Sequence, residues 1–326
     1  MLKELMSEPR ISVITANYNH AQLLPRCLSA LLSQSVQPWE IIVVDDASTD
    51  NSLEVINSFA KQHPLIRVYS NERNLGVNLN NNRGLELARG DYVFFAAADD
   101  EVKPGFFEKS IRMLRDHPEA GLSSGICEWR AAGEDLSWYI GAAMPGKPCF
   151  LSPSDMVALG RRGRLAISAP CSIFKKTALV EAGGWIPELR WFTDFFGAHV
   201  VGFRHGMCHV PEVLSTFNLS PNSYYQTANS RAERGEVMER VLLLLESPKY
   251  ADVEPFIRKS GILGAFGWPM VQVVTGRKLH WRFLSVAFIF RAARRCAEVV
   301  GRRFFPDRLA RFCLKVFYGR RSRGSA

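Results

Sequence analysis

The chain has 326 residues, of which 47% are hydrophobic and 22% charged, a composition that fits a folded protein with a substantial core and excludes a disordered chain. Since it contains no run of about 20 apolar residues, we expect no membrane-spanning helix. The net charge of +9 is uneven: residues 277–326 hold fourteen Lys or Arg and two acids, a surplus of +12, which leaves −3 for residues 1–276. Seven scattered cysteines favour reduced thiols and a cytoplasmic location.

Strand and helix signals alternate over the first third of the chain. Short apolar runs rich in β-branched and aromatic residues predict strands at 11–15, 41–44, 66–69 and 92–95. The segments between and after them predict helices at 23–33, from 52 onward, at 77–88 and at 104–116. Continuously apolar strands that alternate with helices indicate a mainly parallel sheet covered on both faces.

The remainder of the chain gives weaker signals. Prolines and glycines interrupt residues 131–170, where we predict loops and one helix at 154–160. Further segments read as extended at 173–175 and 209–217, and as helical at 176–182, 191–203, 228–246 and onward to about Tyr318. We therefore predict an α/β domain over residues 1–225 and a helical, basic region over residues 226–326.

Polar residues follow three of the predicted strands, in Ala16–Asn19, Asp45-Asp46 and Asp99-Asp100. Ligands of parallel sheets bind at the carboxyl ends of the strands, so these residues are expected to converge on one crevice. Adjacent acids after a buried strand are costly unless they are hydrogen-bonded, solvated or bound to a cation. Divalent ions such as Mg²⁺ bind one or two carboxylates together with substrate phosphates. The alternative is that Asp99 or Asp100 caps the helix after Pro104, or that the two acids simply form a solvated turn.

Five motifs, in order, resemble those of family 2 glycosyltransferases, which have the nucleotide-binding GT-A fold. They are Ile11–Asn19, Ile41–Asp50, Asn74–Gly76 with Asn82–Gly84, Asp99-Asp100 with Pro104, and Arg190–Asp194. The resemblance covers residues 10–225 and implies a GT-A domain, Rossmann-like, with a mainly parallel sheet and helices on both faces. A helical C-terminal extension follows it. The resemblance also implies transfer of a sugar from a nucleotide-diphospho-sugar, most often a UDP-sugar, with inversion of the anomeric centre.

The resemblance assigns several residues to the nucleotide-sugar. Tyr18 is expected to pack near the base, and Asp46 to accept a hydrogen bond from it. Asn74, Gly76 and Asn82 match positions that line the nucleotide side. The alternative for these three is loop structure and helix capping.

The metal motif of the family is matched only in part. Asp99 and Asp100 correspond to its last two acids, which implies that they hold a divalent Mn²⁺ or Mg²⁺ ion against the donor diphosphate and that Asp99 lies at the nucleotide-sugar. Another acid is common two residues earlier, where this chain has Ala97. Ala16 also departs from the usual Pro or Thr.

Asp194 matches the general base of the family, with Thr193 in place of the preceding acid. A carboxylate there would take the proton of the acceptor hydroxyl, on a glycan, a lipid-linked or another acceptor. The alternative is an acid that only stabilises a helix N-terminus. Trp185, in Gly183-Gly-Trp185, resembles the acceptor-side segment, and either stacks on a sugar or belongs to the core.

Two other functions were considered. Ala97, Thr193 and Ser220, the last at a position where related enzymes have a metal-assisting His, keep open a nucleotide-sugar or glycan-binding protein without catalysis. A nucleotidyltransferase would need a glycine-rich basic loop after the first strand, and Ala16–Asn19 is not one. Zinc binding by His199, His205, Cys208 and His209 is disfavoured because their spacing crosses a predicted helix-to-strand break.

The basic segment 277–326 places aromatic residues among Arg and Lys at helical spacing. Such amphipathic helices lie in the headgroup region of anionic membranes, which predicts peripheral attachment at the inner membrane face. The alternative is a helical appendage packed on the domain with a solvated basic face. No recognition motif for nucleic acid accompanies the charge, and we expect no nucleic-acid partner.

Overall fold

The computed structural model describes residues 9–131, 137–219, 231–276 and 278–304. Its strands are β1 (Ile11–Asn17), β2 (Glu40–Asp45), β3 (Ile66–Ser70), β4 (Tyr92–Phe95), β5 (Glu101–Val102), β6 (Leu122–Ala131), β7 (Ser137–Ile140), β8 (Cys149–Leu151), β9 (Ser172–Lys175) and β10 (Met207–Leu219). Its α-helices are α1 (Leu24–Leu32), α2 (Ser52–Gln62), α3 (Val77–Leu87), α4 (Phe106–Asp116), α5 (Pro153–Arg161), α6 (Lys176–Glu181), α7 (Thr193–His205), α8 (Arg231–Leu245), α9 (Glu254–Ser260), α10 (Trp268–Gly276) and α11 (Val286–Phe304). Short 3₁₀ segments lie at Ala169–Cys171, Pro187–Phe192, Pro248–Tyr250, Ile262–Phe266 and Lys278–Phe283.

The strands form one sheet in the order β3-β2-β1-β4-β9-β6-β10-β5, with β7 paired to β6 and β8 to β10. Strands β1 to β4 are parallel neighbours, with Val13 opposite both Ile41 and Phe94. Because β9 is antiparallel to both β4 and β6, strands β6 and β10 run in the same direction as β4. The carboxyl ends of β1, β2, β4, β6 and β10 therefore share one edge of the sheet.

Alternate side chains of the central strands face two different helix layers, as the two-residue period of a strand requires. Val13 and Val43 pack in a buried cluster with side chains of α1, α2 and α4. Ile14 and Val44 pack in the other cluster, with α3 and the helices that follow β8. The predicted α/β architecture with a mainly parallel sheet covered on both faces is confirmed.

The C-terminal helices share the core of the sheet. Leu242 of α8 and Phe288 of α11 belong to the same buried cluster as Ile14 of β1. Helix α11 lies directly against the 3₁₀ segment Ile262–Phe266, because a Cβ at Gly264 would come within 2.5 Å of the carbonyl oxygen of Phe288. The predicted domain boundary near residue 225 falls outside the described residues and stays a prediction.

No helix in the described ranges is both long enough and apolar enough to cross a lipid bilayer. The basic segment is described only as far as residue 304, where α11 ends. The part of the predicted membrane-binding segment beyond that point lies outside the described residues.

Every strand and helix predicted before residue 117 is present, with ends within two residues of those expected. The helix predicted at 154–160 is present as α5, but the loops predicted around it, over residues 131–170, missed the short strands β7 and β8. Strand β6, which ends at the start of this stretch, was also missed. Its buried Ser123 and Ser124 break the apolar pattern; the hydroxyl of Ser172 on β9 donates to that of Ser124 at 2.9 Å. Because these buried serines are polar, the sequence of β6 lacks the continuous apolar run that predicts a strand.

Candidate active site

A crevice is expected where the strand order reverses. The chain passes outward from β1 to β2 and β3, then returns to add β4 on the other side of β1. Such a switch point separates the loops that follow the two strands and creates a ligand cleft at their carboxyl ends. Asn17 ends β1, and Asp99 follows β4. Two of the sequence motifs therefore flank this cleft.

Asp99 and Asp100 form a turn that is fixed from two sides. The carbonyl oxygen of Asp99 accepts hydrogen bonds from Nη2 of Arg26 at 2.9 Å and Nδ2 of Asn218 at 2.7 Å. The backbone N–H of Asn218 donates to Oδ1 of Asp100 at 3.0 Å. Helix α4 instead has Gly105 at its N-cap, with no side-chain cap. The alternative that either aspartate caps this helix was wrong.

Asp100 is buried, and this burial, together with the neighbouring Asp99, raises the pKa of its carboxyl well above the usual value. The charged pair is therefore unfavourable as it stands, and a cation beside it would offset the cost. Asp99 is partly exposed, and so accessible to such a cation.

The residues present fit one kind of metal site. In the described part of the chain, no group of three or more His, Cys, Asp or Glu side chains is placed to hold a metal ion. Ala97, at the position where another acid was expected, is exposed and brings no ligand. Two carboxylates suit a divalent ion whose other ligands are phosphate oxygens and water, as is common for Mg²⁺. They do not fit a cage built from protein alone.

Asp46 organises the loop that leads into α3. Its Oδ1 accepts from Nδ2 of Asn71 at 2.7 Å and from the backbone N–H of Leu75 at 2.8 Å. Its Oδ2 accepts from the N–H of Gly76 at 2.8 Å. The carboxylate is buried, so it shapes the loop from inside. A contact between Asp46 and a nucleotide base stays a prediction.

The residues around this loop differ in what they offer a nucleotide. Tyr18 is 43% exposed directly after β1, which leaves its ring accessible. Oδ1 of Asn74 accepts from the N–H of Gly76 at 3.1 Å, which closes a local turn. Gly76 has a φ of 87°, a conformation that favours glycine, and it is the N-cap residue before α3. Asn74 and Gly76 thus contribute to loop structure and helix capping, as the alternative proposed. Their contact with a nucleotide stays a prediction.

Asn78 and Asn82, one helical turn apart on α3, bind the segment before α7. Nδ2 of Asn78 donates to the carbonyl oxygen of Arg190 at 3.0 Å. The amide of Asn82 both donates to the carbonyl oxygen of Trp185 at 2.7 Å and accepts from its N–H at 2.9 Å. Both ends of the Asn82 amide are therefore used inside the protein, and its contact with the nucleotide stays a prediction.

Trp185 belongs to the core. It is 3% exposed, and its ring packs edge-on against Phe95 at 4.7 Å and Phe174 at 5.9 Å between ring centroids. It also lies against Gly197 of α7, where a Cβ would come within 3.3 Å of the indole. A ring with no open face cannot stack on a sugar, so the core alternative is the one that the structure supports.

Asp194 lies in the first turn of α7. This helix ends two residues before β10 begins, so its amino end returns to the edge of the sheet that carries the cleft. Oδ1 of Asp194 accepts the N–H of Phe195 at 2.6 Å. Burial nevertheless raises the pKa of Asp194 from 3.8 to about 6. Desolvation therefore outweighs the helix terminus, and the carboxylate is suited to accept a proton near neutral pH.

The turn that presents Asp194 is strained. Arg190 has a φ of 47° and a ψ of −122°, unusual for a residue with a side chain. It is held there by the bond from Asn78 and by an ion pair between its Nη1 and Oε1 of Glu233 at 3.1 Å. Such strain persists only where surrounding contacts impose it, and it is common at functional sites.

Residues 12–143 match the model of the family described as Glycosyl transferase family 2. The chain carries a family 2 glycosyltransferase domain. This match includes Tyr18, Asp46 and the Asp99-Asp100 pair, whereas Trp185 and Asp194 lie beyond it. The resemblance inferred from the motifs is confirmed.

Two curated relatives illustrate the extent of the similarity. The chain is 27% identical over 250 residues to Uncharacterized protein MT1568 of Mycobacterium tuberculosis, an alignment that covers 73% of this chain and 75% of that protein. It is 36% identical over 129 residues to Uncharacterized glycosyltransferase YibD of Escherichia coli, covering 39% of this chain and 37% of that one. The higher identity extends over a smaller part of the chain.

Solved structures share the fold. S. aureus TarS 1-349, in complex with UDP-GlcNAc, matches with a TM-score of 0.61 and 15% identity, over 90% of this chain and 81% of that one. The mannosyltransferase PcManGT of Pyrobaculum calidifontis, in complex with GDP-Man and Mn²⁺, matches with a TM-score of 0.58 and 18% identity, over 96% and 86%. The glycosyltransferase domain therefore has the predicted GT-A fold with helices after it.

Two arginines beside the metal-type pair of the glycosyltransferase domain were missed. Arg26 of α1 binds the Asp99 carbonyl, and its Nη1 lies 3.7 Å from Oε1 of Glu101. Arg130, near the end of β6, lies 3.6 Å from the same oxygen and 3.0 Å from Oε2 of Glu128. Both place positive charge at the edge where a diphosphate would lie. Arg130 could not be placed because β6 itself was not predicted.

A group of three aromatic side chains at the same edge was also missed. Trp129 of β6 lies opposite Trp138 of β7 and Phe217 of β10. The ring centroid of Trp129 is 6.0 Å from that of Trp138 and 4.7 Å from that of Phe217. All three are partly exposed. Partly exposed aromatic rings suit contact with the apolar faces of sugars.

The remaining polar candidates do not form a site in the described residues. His199 and His209 are buried on different elements, α7 and β10, and burial lowers the pKa of each to about 4. Neither belongs to a group of metal-ligating residues within the described ranges. Ser220 lies outside the described residues.

Proposed function

We propose that this chain transfers a sugar from a nucleotide-diphospho-sugar to an acceptor hydroxyl, with inversion, in the synthesis of a glycan or polysaccharide. The observation that carries the proposal is the Asp99-Asp100 turn at the switch point of a GT-A sheet, inside the residues matched by the family. The buried Asp100 carboxyl beside the partly exposed Asp99 is an unfavourably charged pair that suits a diphosphate-bound cation.

The donor proposed is a UDP-sugar. TarS binds UDP-GlcNAc on the same fold, which supports this choice, whereas the PcManGT complex with GDP-Man makes GDP the first nucleotide to compare. Tyr18 would pack on the base, with Asp46 behind the loop of Asn74 and Gly76. Arg26 would face the diphosphate, since its guanidinium lies at the Asp99 carbonyl.

Asp99 and Asp100 would hold a divalent Mn²⁺ or Mg²⁺ ion. Bound there, the ion supplies neutralisation of the charge that develops on the departing diphosphate. Asn218 and Arg26 keep the turn in place through the Asp99 carbonyl, so both carboxylates are positioned before the donor binds.

Asp194 would act as the general base. As the acceptor oxygen bonds to the anomeric carbon, its proton passes to the Asp194 carboxylate and the bond to the diphosphate breaks on the opposite face. Attack on the face opposite the departing diphosphate inverts the anomeric centre. The acceptor would meet the aromatic group Trp129, Trp138 and Phe217, which takes the role first expected of Trp185.

The alternative is a nucleotide-sugar or glycan-binding protein without catalysis. The exposed Ala97 and the buried Thr193, which replace acids expected from the family, favour it. The strained turn before Asp194 and the raised pKa of that carboxyl favour the transferase, because a protein that only binds has no use for either.

Thermal denaturation with UDP, GDP and their sugars, with and without Mn²⁺, tests the donor site. We expect Mn²⁺-dependent stabilisation by UDP, worth about 2.7 kcal/mol at a hundredfold excess over the dissociation constant. Asp99→Asn should abolish it, and Asp116→Asn, an exposed acid at the end of α4, should not. Stabilisation by no nucleotide would reject the proposal, and stabilisation by GDP alone would reject the choice of UDP.

We further propose that α11 attaches the enzyme to an anionic membrane surface, the source of a lipid-linked acceptor. Val286, Ile289 and Phe290, at helical spacing, are 86%, 55% and 56% exposed, while Phe288 faces the core. The surplus of +12 in residues 277–326 complements anionic lipid.

Co-sedimentation with phosphatidylglycerol vesicles tests this attachment. Ile289→Asp with Phe290→Asp should abolish it, because two charges would enter the apolar face that meets the lipid. Val180→Asp, on an equally exposed valine of α6, should leave binding intact. Substitution is preferable to deletion, since Phe288 is part of the core. Equal sedimentation of all three proteins would reject the proposal.

A further inference from the structure

Glu101, on β5 directly after the Asp99-Asp100 pair, gathers three cations around one carboxylate. Its Oε2 lies 2.7 Å from Nζ of Lys103. Its Oε1 lies 3.7 Å from Nη1 of Arg26 and 3.6 Å from Nη1 of Arg130. The last two distances are too long for hydrogen bonds, so Oε1 lies between two guanidinium groups without being bonded to either.

Both arginines are held in place at their other terminal nitrogen. Nη2 of Arg26 donates to the carbonyl oxygen of Asp99 at 2.9 Å, and Nη2 of Arg130 donates to Oε2 of Glu128 at 3.0 Å. Each guanidinium group therefore has one nitrogen fixed by a hydrogen bond and another that only approaches Glu101. Another anion can bind the two nitrogens beside Glu101 while both of these hydrogen bonds stay in place.

The register of the sheet produces this arrangement. Thr216 of β10 lies opposite Glu101 of β5 on one side and opposite Glu128 of β6 on the other. Residues that lie opposite each other in a sheet share a face, and so do residues two apart on one strand. Glu101, Glu128 and Arg130 therefore lie on one face, where Arg130 reaches between the two acids. Oγ1 of Thr216 fixes Glu128 by donating to its Oε2 at 3.1 Å.

The two arginines and Glu101 are accessible to a ligand. The side chains of Arg26 and Arg130 are 50% and 37% exposed, and that of Glu101 is 28% exposed. Ion pairs as exposed as these add little to stability, because water screens them and the long side chains lose freedom when they pair. The fold therefore does not depend on Glu101, and an anion can approach both arginines from solvent.

A diphosphate is an anion whose oxygens suit two neighbouring guanidinium groups, because the nitrogens of each group match phosphate oxygens in pairs. We propose that the donor diphosphate replaces Glu101 at Arg26 and Arg130, and that Glu101 takes the two arginines back as the nucleoside diphosphate leaves. This inference rests on the proposed transfer reaction. It adds to that reaction a residue that controls release of the product.

Glu101 opposes donor binding more than it assists it. Its long contacts orient the arginines only weakly, because the carbonyl oxygen of Asp99 and the carboxylate of Glu128 already hold them. Its negative charge, in contrast, competes directly with phosphate oxygens for the same two nitrogens. An amide in its place should therefore tighten the binding of a nucleoside diphosphate and slow its release.

Isothermal titration with UDP and with inorganic pyrophosphate, each in EDTA and at constant ionic strength, tests the proposal on the full chain. Glu101→Gln should tighten the binding of both several-fold, whereas Glu101→Asp, which keeps the charge, should change it little. Arg130→Gln should weaken binding about tenfold, the effect of losing one charge-assisted contact, and Arg26→Gln should act in the same direction. Glu54→Gln, on an exposed acid of α2, should change nothing.

A double variant separates competition for the arginines from a general effect of charge. When Arg130→Gln is already present, Glu101→Gln should tighten binding less than it does in the natural protein. An equal gain would overturn the proposal, because the carboxylate would then act on any nearby anion. Weaker or unchanged binding by Glu101→Gln alone would overturn it as well. If Arg130→Gln does not fold, Arg26→Gln takes its place in the double variant.

Product inhibition provides a readout of release. UDP should inhibit turnover of Glu101→Gln at a several-fold lower concentration than it inhibits the natural enzyme, and equal inhibition would overturn the role in release. Pyrophosphate has no base, so its binding tests the two arginines even if the donor is not a UDP-sugar. Mn²⁺-dependent stabilisation by UDP, measured separately, tests the transfer proposal. If that stabilisation is present and Glu101→Gln alters the binding of neither ligand, only this inference fails.

Discussion

The two sides of the crevice are built in different ways. On the donor side, polar side chains hold one another: Nδ2 of Asn17 donates to Oδ1 of Asp45 at 2.7 Å, and Asp46 accepts three hydrogen bonds from the loop before α3. On the base side, Asp194 accepts one short hydrogen bond, from the next N–H, and lies in sequence between Phe192 and Phe195, whose rings pack against Phe266.

This difference separates binding from chemistry. A network of satisfied hydrogen bonds fixes the shape of the donor loops before a ligand arrives, which favours binding. Burial raises the pKa of the Asp194 carboxyl to about 6, which costs stability and favours proton transfer. The two sides are joined by Asn78 and Asn82 of α3, which bind the backbone that leads to Asp194.

The largest effect is expected from Asp194→Asn. Turnover should fall about 10²–10⁴-fold, since an amide cannot take the acceptor proton, while UDP binding stays intact. Turnover of the natural enzyme should fall about tenfold for each pH unit below 6, as its carboxyl becomes protonated. Rate measurements across pH 4.5–8.5 check both statements.

The stability of the same variant provides an independent readout. Since the folded state raises the pKa of Asp194 from 3.8 to about 6, it binds this proton more tightly than the unfolded chain, and stability falls as pH rises through that range. At pH 8 the free energy of unfolding of Asp194→Asn should therefore exceed that of the natural protein by up to about 3 kcal/mol. The variant should unfold at a higher temperature. Asp116→Asn, on an exposed acid, should show neither effect. Full turnover in Asp194→Asn would reject Asp194 as the general base, whereas the absence of turnover in the natural protein would favour the binding-protein alternative.

The donor side could be predicted from the sequence because its signals are local. Each strand there is a short apolar run, and each polar motif follows directly, so Asp46 and Asp99 could be placed at strand ends before the fold was known. The missing acid at Ala97 could also be recognised from the local motif, and Ala97 is exposed at the turn of Asp99 and Asp100.

The base side could not be predicted to the same depth because its contacts join distant segments. Trp185 is buried by residues of β4, β9 and α7, which no local pattern indicates. Strand β6 contains buried serines, one of which pairs across the sheet, and was not predicted. Trp129 and Arg130 of this strand could therefore not be placed at the site. Asn82 was assigned by resemblance to the nucleotide, and its partner 103 residues away could not be foreseen.

A smaller effect is expected from Asn82→Ala, which tests the connection between the two sides. The substitution leaves the backbone N–H and carbonyl of Trp185 without their partners, at a cost of about 1–3 kcal/mol in stability. We expect kcat to fall several-fold because the segment before Asp194 loosens, with the KM for the donor unchanged. Asn81→Ala, one position earlier on α3, is the matched control and should leave both constants unaltered. If instead KM for the donor rises while kcat holds, Asn82 contacts the nucleotide as the family resemblance implied, and the donor and base sides are not coupled through its amide.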